Sequence, residues 1–204
     1  MSCQQAWRNH YLGRKEESQL KTVELTTPLD EKQISNLESG DKVFLSGEIY
    51  TARDAAHKKL VALIEEGKDL PFDLQGAIIY YVGPAPSKPG QVMNSAGPTT
   101  SYRMDVFTPL LLKHGLKGTI GKGPRSKEVR DAMVKHGGIY FAAVGGAAAG
   151  IASTVKEAEV IAYDELGPEA IRRLVVERMP LFVVNDTRGN DLFEAGVAEY
   201  RREE

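Results

Sequence analysis

Two hydrophobic periods alternate along this chain. The pattern predicts a strand over residues 21–26, a short helix over 30–37 and a strand, KVFLSGEIY, over 42–50. Thr51 then opens a helix. Thr51 and Asp54 fit the capping pattern in which a hydroxyl and a carboxylate three residues on satisfy free backbone N–H groups. Ala52, Ala56, Leu60 and Leu63 follow as an apolar stripe at helical spacing. That helix stops near Gly67. The apolar run AIIYYV at 77–82, bounded by Gly76 and Gly83, predicts a buried strand. Residues 83–98 are rich in Pro, Gly and Ser and form the longest loop. A long loop in a compact domain is often functional.

A second helix is predicted from Thr99 or Thr100, with Met104, Phe107 and Leu111 on one face and Gly115 as its stop. A third spans 126–136, with Val129 and Met133 on one face and Gly137-Gly138 at its end. Strands follow over 139–144 and 155–163. The runs 174–176 and 181–184 predict a further pair, before a turn at 185–190. This mixture predicts an α/β domain over 21–204, a mixed sheet flanked by helices. Residues 1–20 read as a polar N-terminal extension. It is either a loose tail or an arm that grips a partner chain through Trp7 and Tyr11.

Charge changes this picture little. Lys and Arg number 26 against 28 Asp and Glu, a net of -2 over 204 residues. Nothing in that balance favours a nucleic-acid or membrane partner. No signal-peptide run is visible at the N-terminus. The least polar stretch, 139–152, is shorter than the roughly 20 residues that span a bilayer. A soluble, cytoplasmic protein is the expectation. The single cysteine, Cys3, can neither form an internal disulfide nor hold an iron–sulfur cluster alone.

Three cations sit at turns near predicted helix starts. Arg53 lies in the first turn after Thr51, where a cation opposes the helix dipole but could help bind a carboxylate. It is also readable as a surface arginine neutralised by Asp54. Arg103 follows Gly97-Pro98-Thr99-Thr100-Ser101, which offers more hydroxyls than a cap requires. Lys122 stands between Gly121 and Gly123, and the surrounding residues exclude a Walker A loop. Either these are surface groups, or their turns face one side of the sheet and form a pocket for a small polyanion such as a dicarboxylate. The GGAAAG run at 145–150 is not a G-x-G-x-x-G loop, and close packing of small residues explains it better. His114 and His136 precede glycines at helix ends. His57 falls on the polar side of the Thr51 helix, near Arg53. The histidines form no metal constellation.

The segments SGEIYTARDAAHKKL, LPFDLQG, GPTTSYRMD, GKGPRS, KHGGIYFAAVGGAAA and NDTRGNDLF occur in that order. Over about Thr22 to Phe193 the chain resembles the β subunit, or equivalent C-terminal domain, of class I iron–sulfur fumarases and the related tartrate dehydratases. KHGG followed by VGG resembles the fumarase branch more closely. The resemblance implies a swivelling β/β/α-type domain. It implies a partner α subunit that carries three cysteines and a 4Fe–4S cluster, and the reversible hydration of fumarate to (S)-malate. It assigns Arg53, Arg103 and Lys122 to the substrate carboxylates and Thr99 and Thr100 to catalysis, with Thr99 the general base. Asp54 and His57 become supporting groups behind the substrate. The cluster would belong to the partner, not to this chain. A hetero-oligomer follows, with a homodimer as the form of the isolated chain. The alternatives are a tartrate dehydratase β subunit and a non-catalytic binding or assembly module of the same fold.

Overall fold

In the computed structural model of the protein, residues 21–85, 92–143 and 148–201 are described. The elements in chain order are β1 (Thr22–Thr26), α1 (Glu31–Ser35), β2 (Lys42–Thr51), α2 (Asp54–Glu65) and β3 (Ile78–Tyr80). A first 3-10 helix (Ser101–Met104) precedes α3 (Thr108–Lys113), β4 (Gly118–Gly121), α4 (Lys127–His136) and β5 (Ile139–Ala143). Then come α5 (Ala148–Thr154), β6 (Val155–Ala162), a second 3-10 helix (Asp164–Glu169), β7 (Ile171–Asn185) and α6 (Leu192–Tyr200).

Strands β2, β3, β4 and β5 are neighbours in that order and parallel. Strand β7 runs antiparallel to β5 and also to β2, so the pairing returns on itself and closes a ring of five strands. β1 and β6 extend it, β1 along β2 and β6 along β7. The fold is thus mixed α/β with flanking helices, as expected, and its sheet is closed like a barrel.

Side-chain alternation along the strands separates two cores. Ile78 and Tyr80 join Ile49, Ile120, Phe141 and Leu181, drawn from all five ring strands. Ile79 and Tyr81 point the other way and pack with Ala56, Leu60, Leu111, Val129 and Met133 of the helices. Both faces of the parallel strands are covered, which explains why AIIYYV reads as continuously apolar.

Several boundaries differ from the sequence expectation. Thr51 does not cap a helix. It is the buried last residue of β2; its hydroxyl donates to the Ala170 carbonyl at 3.3 Å and accepts the Arg172 N–H at 3.0 Å. Helix α2 begins at Asp54, with Arg53 as an N-cap residue that makes no side-chain capping bond. The runs at 174–176 and 181–184 are not a pair but parts of the single strand β7. Between them Arg178 adopts φ 50°, opposite a register shift at Leu45/Gly47. A bulge of this kind bends a ribbon without ending its ladder. The helix expected from Thr99 is divided into the first 3-10 helix and α3. The strands over 21–26 and 42–50, the helix over 126–136 and the stop at Gly115 (φ 108°) hold. The GGAAAG run lies partly outside the described residues, and its last residues open α5. Residues 1–20 lie outside them altogether.

Candidate functional site

The carboxyl ends of β2, β3 and β4 meet at one edge of the ring, where ligands bind in parallel α/β sheets. From β2 the chain passes through Arg53 into α2. After β3, the Tyr80 hydroxyl donates to the Ala96 carbonyl. Thr99 N–H then donates to the Tyr81 carbonyl at 2.6 Å, and Val82 bridges Pro98. After β4, Lys122 bridges Thr100: Lys122 N–H donates to the Thr99 carbonyl at 3.3 Å and Ser101 N–H to the Lys122 carbonyl at 2.9 Å. A short backbone ladder therefore holds Thr99, Thr100 and Lys122 side by side.

Arg103 reaches from the first 3-10 helix to the start of α2. Its Nε donates to Asp54 Oδ1 at 3.1 Å and its Nη2 to Oδ2 at 2.7 Å. This fork-to-fork pair is the strong geometry for guanidinium and carboxylate. Asp54 therefore engages Arg103, not Arg53. The counter-ion of Arg53 is Glu169, with Oε1 at 3.5 Å from Nη2. Thr100 is the N-cap residue of the first 3-10 helix, yet its hydroxyl makes no capping bond. Three cations thus share this edge with two carboxylates.

His57 departs from expectation. It lies fully buried beneath α2, not on its polar side. Its ring packs edge-on to Tyr81 at 5.4 Å and tilted on Phe107 at 5.8 Å. Nδ1 donates to the Arg53 carbonyl at 2.9 Å, while Nε2 is buried without a partner among the described residues. Burial pushes the imidazole pKa down to about 4, and the nearby Arg125 guanidinium adds to the effect. His57 is therefore neutral at pH 7. His114 meets its expectation: its Nδ1 donates to the Leu110 carbonyl at the end of α3.

Beneath the ladder lies a buried network that local sequence did not single out. Arg125 is buried, and its Nε donates to Asp105 Oδ1 at 2.7 Å. Nη1 donates to Thr119 Oγ1 at 3.0 Å and Nη2 to Thr108 Oγ1 at 2.8 Å. Its guanidinium lies over the Tyr81 and Tyr140 rings, at 5.4 and 5.0 Å from their centroids. Asp105 Oδ2 accepts the Ser126 N–H at 2.6 Å. Tyr140 donates to the Gly123 carbonyl at 2.9 Å and shares a hydrogen bond with Ser101. Arg125 thus fastens the segment carrying Arg103 to the turn carrying Lys122. The GKGPRS motif contained it, but only tertiary packing shows that its arginine points inward. Gly121 has a steric reason as well, since a Cβ there would lie 1.9 Å from Ser101 Oγ.

The NDTRGNDLF segment forms the turn between β7 and α6. Burial would raise the Asp186 pKa. Hydrogen bonds from Asn190, Ser39 and Arg188 outweigh it and hold the carboxyl below its ordinary range. That is a structural role. Among the described residues no group of three or more His, Cys, Asp or Glu is placed to hold a metal ion. No helix among them is long and apolar enough to cross a membrane.

Cations and hydroxyls thus gather at the carboxyl ends of the parallel strands of a closed α/β sheet. The family model for the fumarase C-terminus matches residues 2–196, and the chain belongs to that family. It is 42% identical over 182 residues to the anaerobic class I fumarate hydratase of Escherichia coli strain K12, covering 87% of this chain and 33% of that protein. It is 41% identical over 180 residues to fumarate hydratase 2 of Leishmania major, covering 86% of this chain and 32% of that protein. It is also 41% identical over 172 residues to a putative L(+)-tartrate dehydratase subunit beta of Methanocaldococcus jannaschii, covering 81% of this chain and 88% of that subunit. The chain thus spans about a third of the fumarate hydratases it matches and most of the tartrate dehydratase subunit.

Proposed function

We propose that this chain is the β component of a heteromeric class I hydro-lyase that interconverts fumarate and (S)-malate. The observation that carries the reading is the arrangement at the strand ends. Arg53, Arg103, Lys122, Thr99 and Thr100 gather on one edge, with no ion pair to Lys122 and no capping bond from Thr100 among the described residues.

In this reading Arg53, Arg103 and Lys122 bind the two substrate carboxylates. Loss of a proton from the carbon next to a carboxylate builds negative charge on that group. Fixed cations stabilise this charge most in the transition state. Thr99 exchanges the proton. A threonine hydroxyl is a weak base, so it works with a carboxylate supplied by the partner. Asp54 holds Arg103 in register, and His57 steadies the Arg53 backbone as a neutral donor. The residues of this chain that the structure describes do not fit a 4Fe–4S cluster. The cluster is assigned to a partner α subunit that closes over the swivelling domain, and no step on this chain runs through it.

A tartrate dehydratase β subunit is the second reading, favoured by the long match to the Methanocaldococcus jannaschii subunit. One experiment separates the two. The chain is copurified with its cysteine-bearing partner, reconstituted anaerobically with iron and sulfide, and assayed with fumarate, malate and tartrate. The expected result is fumarate–malate interconversion by the complex and none by the chain alone. Strong activity from the chain alone would refute the heteromeric reading. No partner and no dicarboxylate binding would instead indicate a non-catalytic module.

A further inference from the structure

Arg53 is held differently from the other cations of the site. It occupies the N-cap of α2, where the free N–H groups repel a cation, and it makes no capping bond itself. One carboxylate answers both problems. Glu169 Oε2 accepts the Ala55 N–H at 2.9 Å, and Glu169 Oε1 lies 3.5 Å from Arg53 Nη2. The Thr51 hydroxyl brings Glu169 there, because it clamps Ala170 and Arg172 against the end of β2. Gly83 also approaches so closely that a Cβ there would lie 2.6 Å from Arg53 Nη1.

This clamp orients the guanidinium without saturating it. Glu169 comes no closer than 3.5 Å to the guanidinium, and Arg53 Nε is buried with no partner among the described residues. Arg103, in contrast, commits both Nε and Nη2 to Asp54. The two side chains of the Arg53–Glu169 pair are 22% and 25% exposed. Their attraction is therefore less screened by solvent than that of a surface pair.

We propose that Glu169 is a positioning residue that aims Arg53 at a substrate carboxylate while capping α2. The proposal rests on the dicarboxylate reading above. Glu169→Gln tests it, because the amide oxygen can still accept from Ala55 but the charge that draws Arg53 is gone. In the assembled enzyme, the inhibition constant of succinate, an unreactive dicarboxylate, and the KM should each rise about tenfold, with kcat less affected. The melting temperature should stay close to that of the parent. In an Arg53→Ala background the same substitution should leave the succinate constant unchanged, as coupled residues require. An unchanged succinate constant for Glu169→Gln in the parent background would overturn the proposal and leave Glu169 as a helix cap. A lower constant would overturn it too, by showing that Glu169 competes with the substrate. If the parent enzyme itself binds no dicarboxylate, the functional reading falls, and this proposal with it.

Discussion

The buried imidazole of His57 makes a quantitative prediction that needs no substrate. In the unfolded chain this histidine titrates at its ordinary 6.5, while burial holds the folded value at about 4. Between those values the unfolded chain binds a proton that the folded chain refuses. Stability therefore falls as pH falls through this window. A displacement of that size corresponds to a loss of about 2.5 kcal/mol between pH 7 and pH 4.5. A carboxylate with a lowered value, such as Asp186, contributes mainly below that range, as pH falls through the ordinary carboxylate value. The assay is urea unfolding at a series of pH values for the parent and for His57→Leu. Leucine fills a similar volume against Tyr81 and Phe107, and the Arg53 carbonyl keeps the His57 backbone N–H as a donor at 2.8 Å. The parent should lose stability with a slope of up to one proton, and the variant should lack that component. Matching profiles for the two proteins would refute the assignment of the imidazole as buried and neutral.

Other consequences follow from the same geometry. Arg125→Ala should destabilise the fold by about 3–5 kcal/mol in denaturant titration, because it strands the buried carboxylate of Asp105. Gly121→Ala drives a methyl group into Ser101 and should cost about 1–3 kcal/mol, with a crystal structure showing Ser101 displaced from Tyr140. Arg103→Ala removes a partly exposed ion pair, so stability should change by only about 1 kcal/mol. Turnover of the assembled enzyme should nevertheless fall about a hundredfold or more. Normal kinetics in that variant would remove Arg103 from the site.

Much of this fold was legible in local patterns. The αL glycines at 67, 115 and 137 marked helix ends where they stand, because a backbone with positive φ strongly favours glycine. The apolar run at 77–82 identified its strand because both of its faces are covered. Other features were misread for a common reason. Thr51 resembles a helix cap locally, but its partners are Ala170 and Arg172. The segment around Arg178 and Pro180 resembles a strand break, but its ladder partners on β2 carry it through. His57 reads as polar-facing in the sequence because neither Tyr81 nor Phe107 is visible as a neighbour from its own helix.

The candidate site divides along the same line. Residue types and order, in TARDAAH, GPTTSYRM and GKG, marked Arg53, Arg103, Lys122 and the hydroxyls beside them as candidates that could as well be surface or capping groups, and the family resemblance assigned them, with Thr99 and Thr100, to one site. Only the tertiary structure decided how they are held. Parallel pairing sets the ends of β2, β3 and β4 side by side, tertiary packing buries an arginine at 125 beneath them, and the return of β7 against β2 brings in a carboxylate at 169, far from Arg53 in sequence. Electrostatic pairing depends on distance in space. The chain therefore states which charges it carries, and the fold alone determines which of them meet.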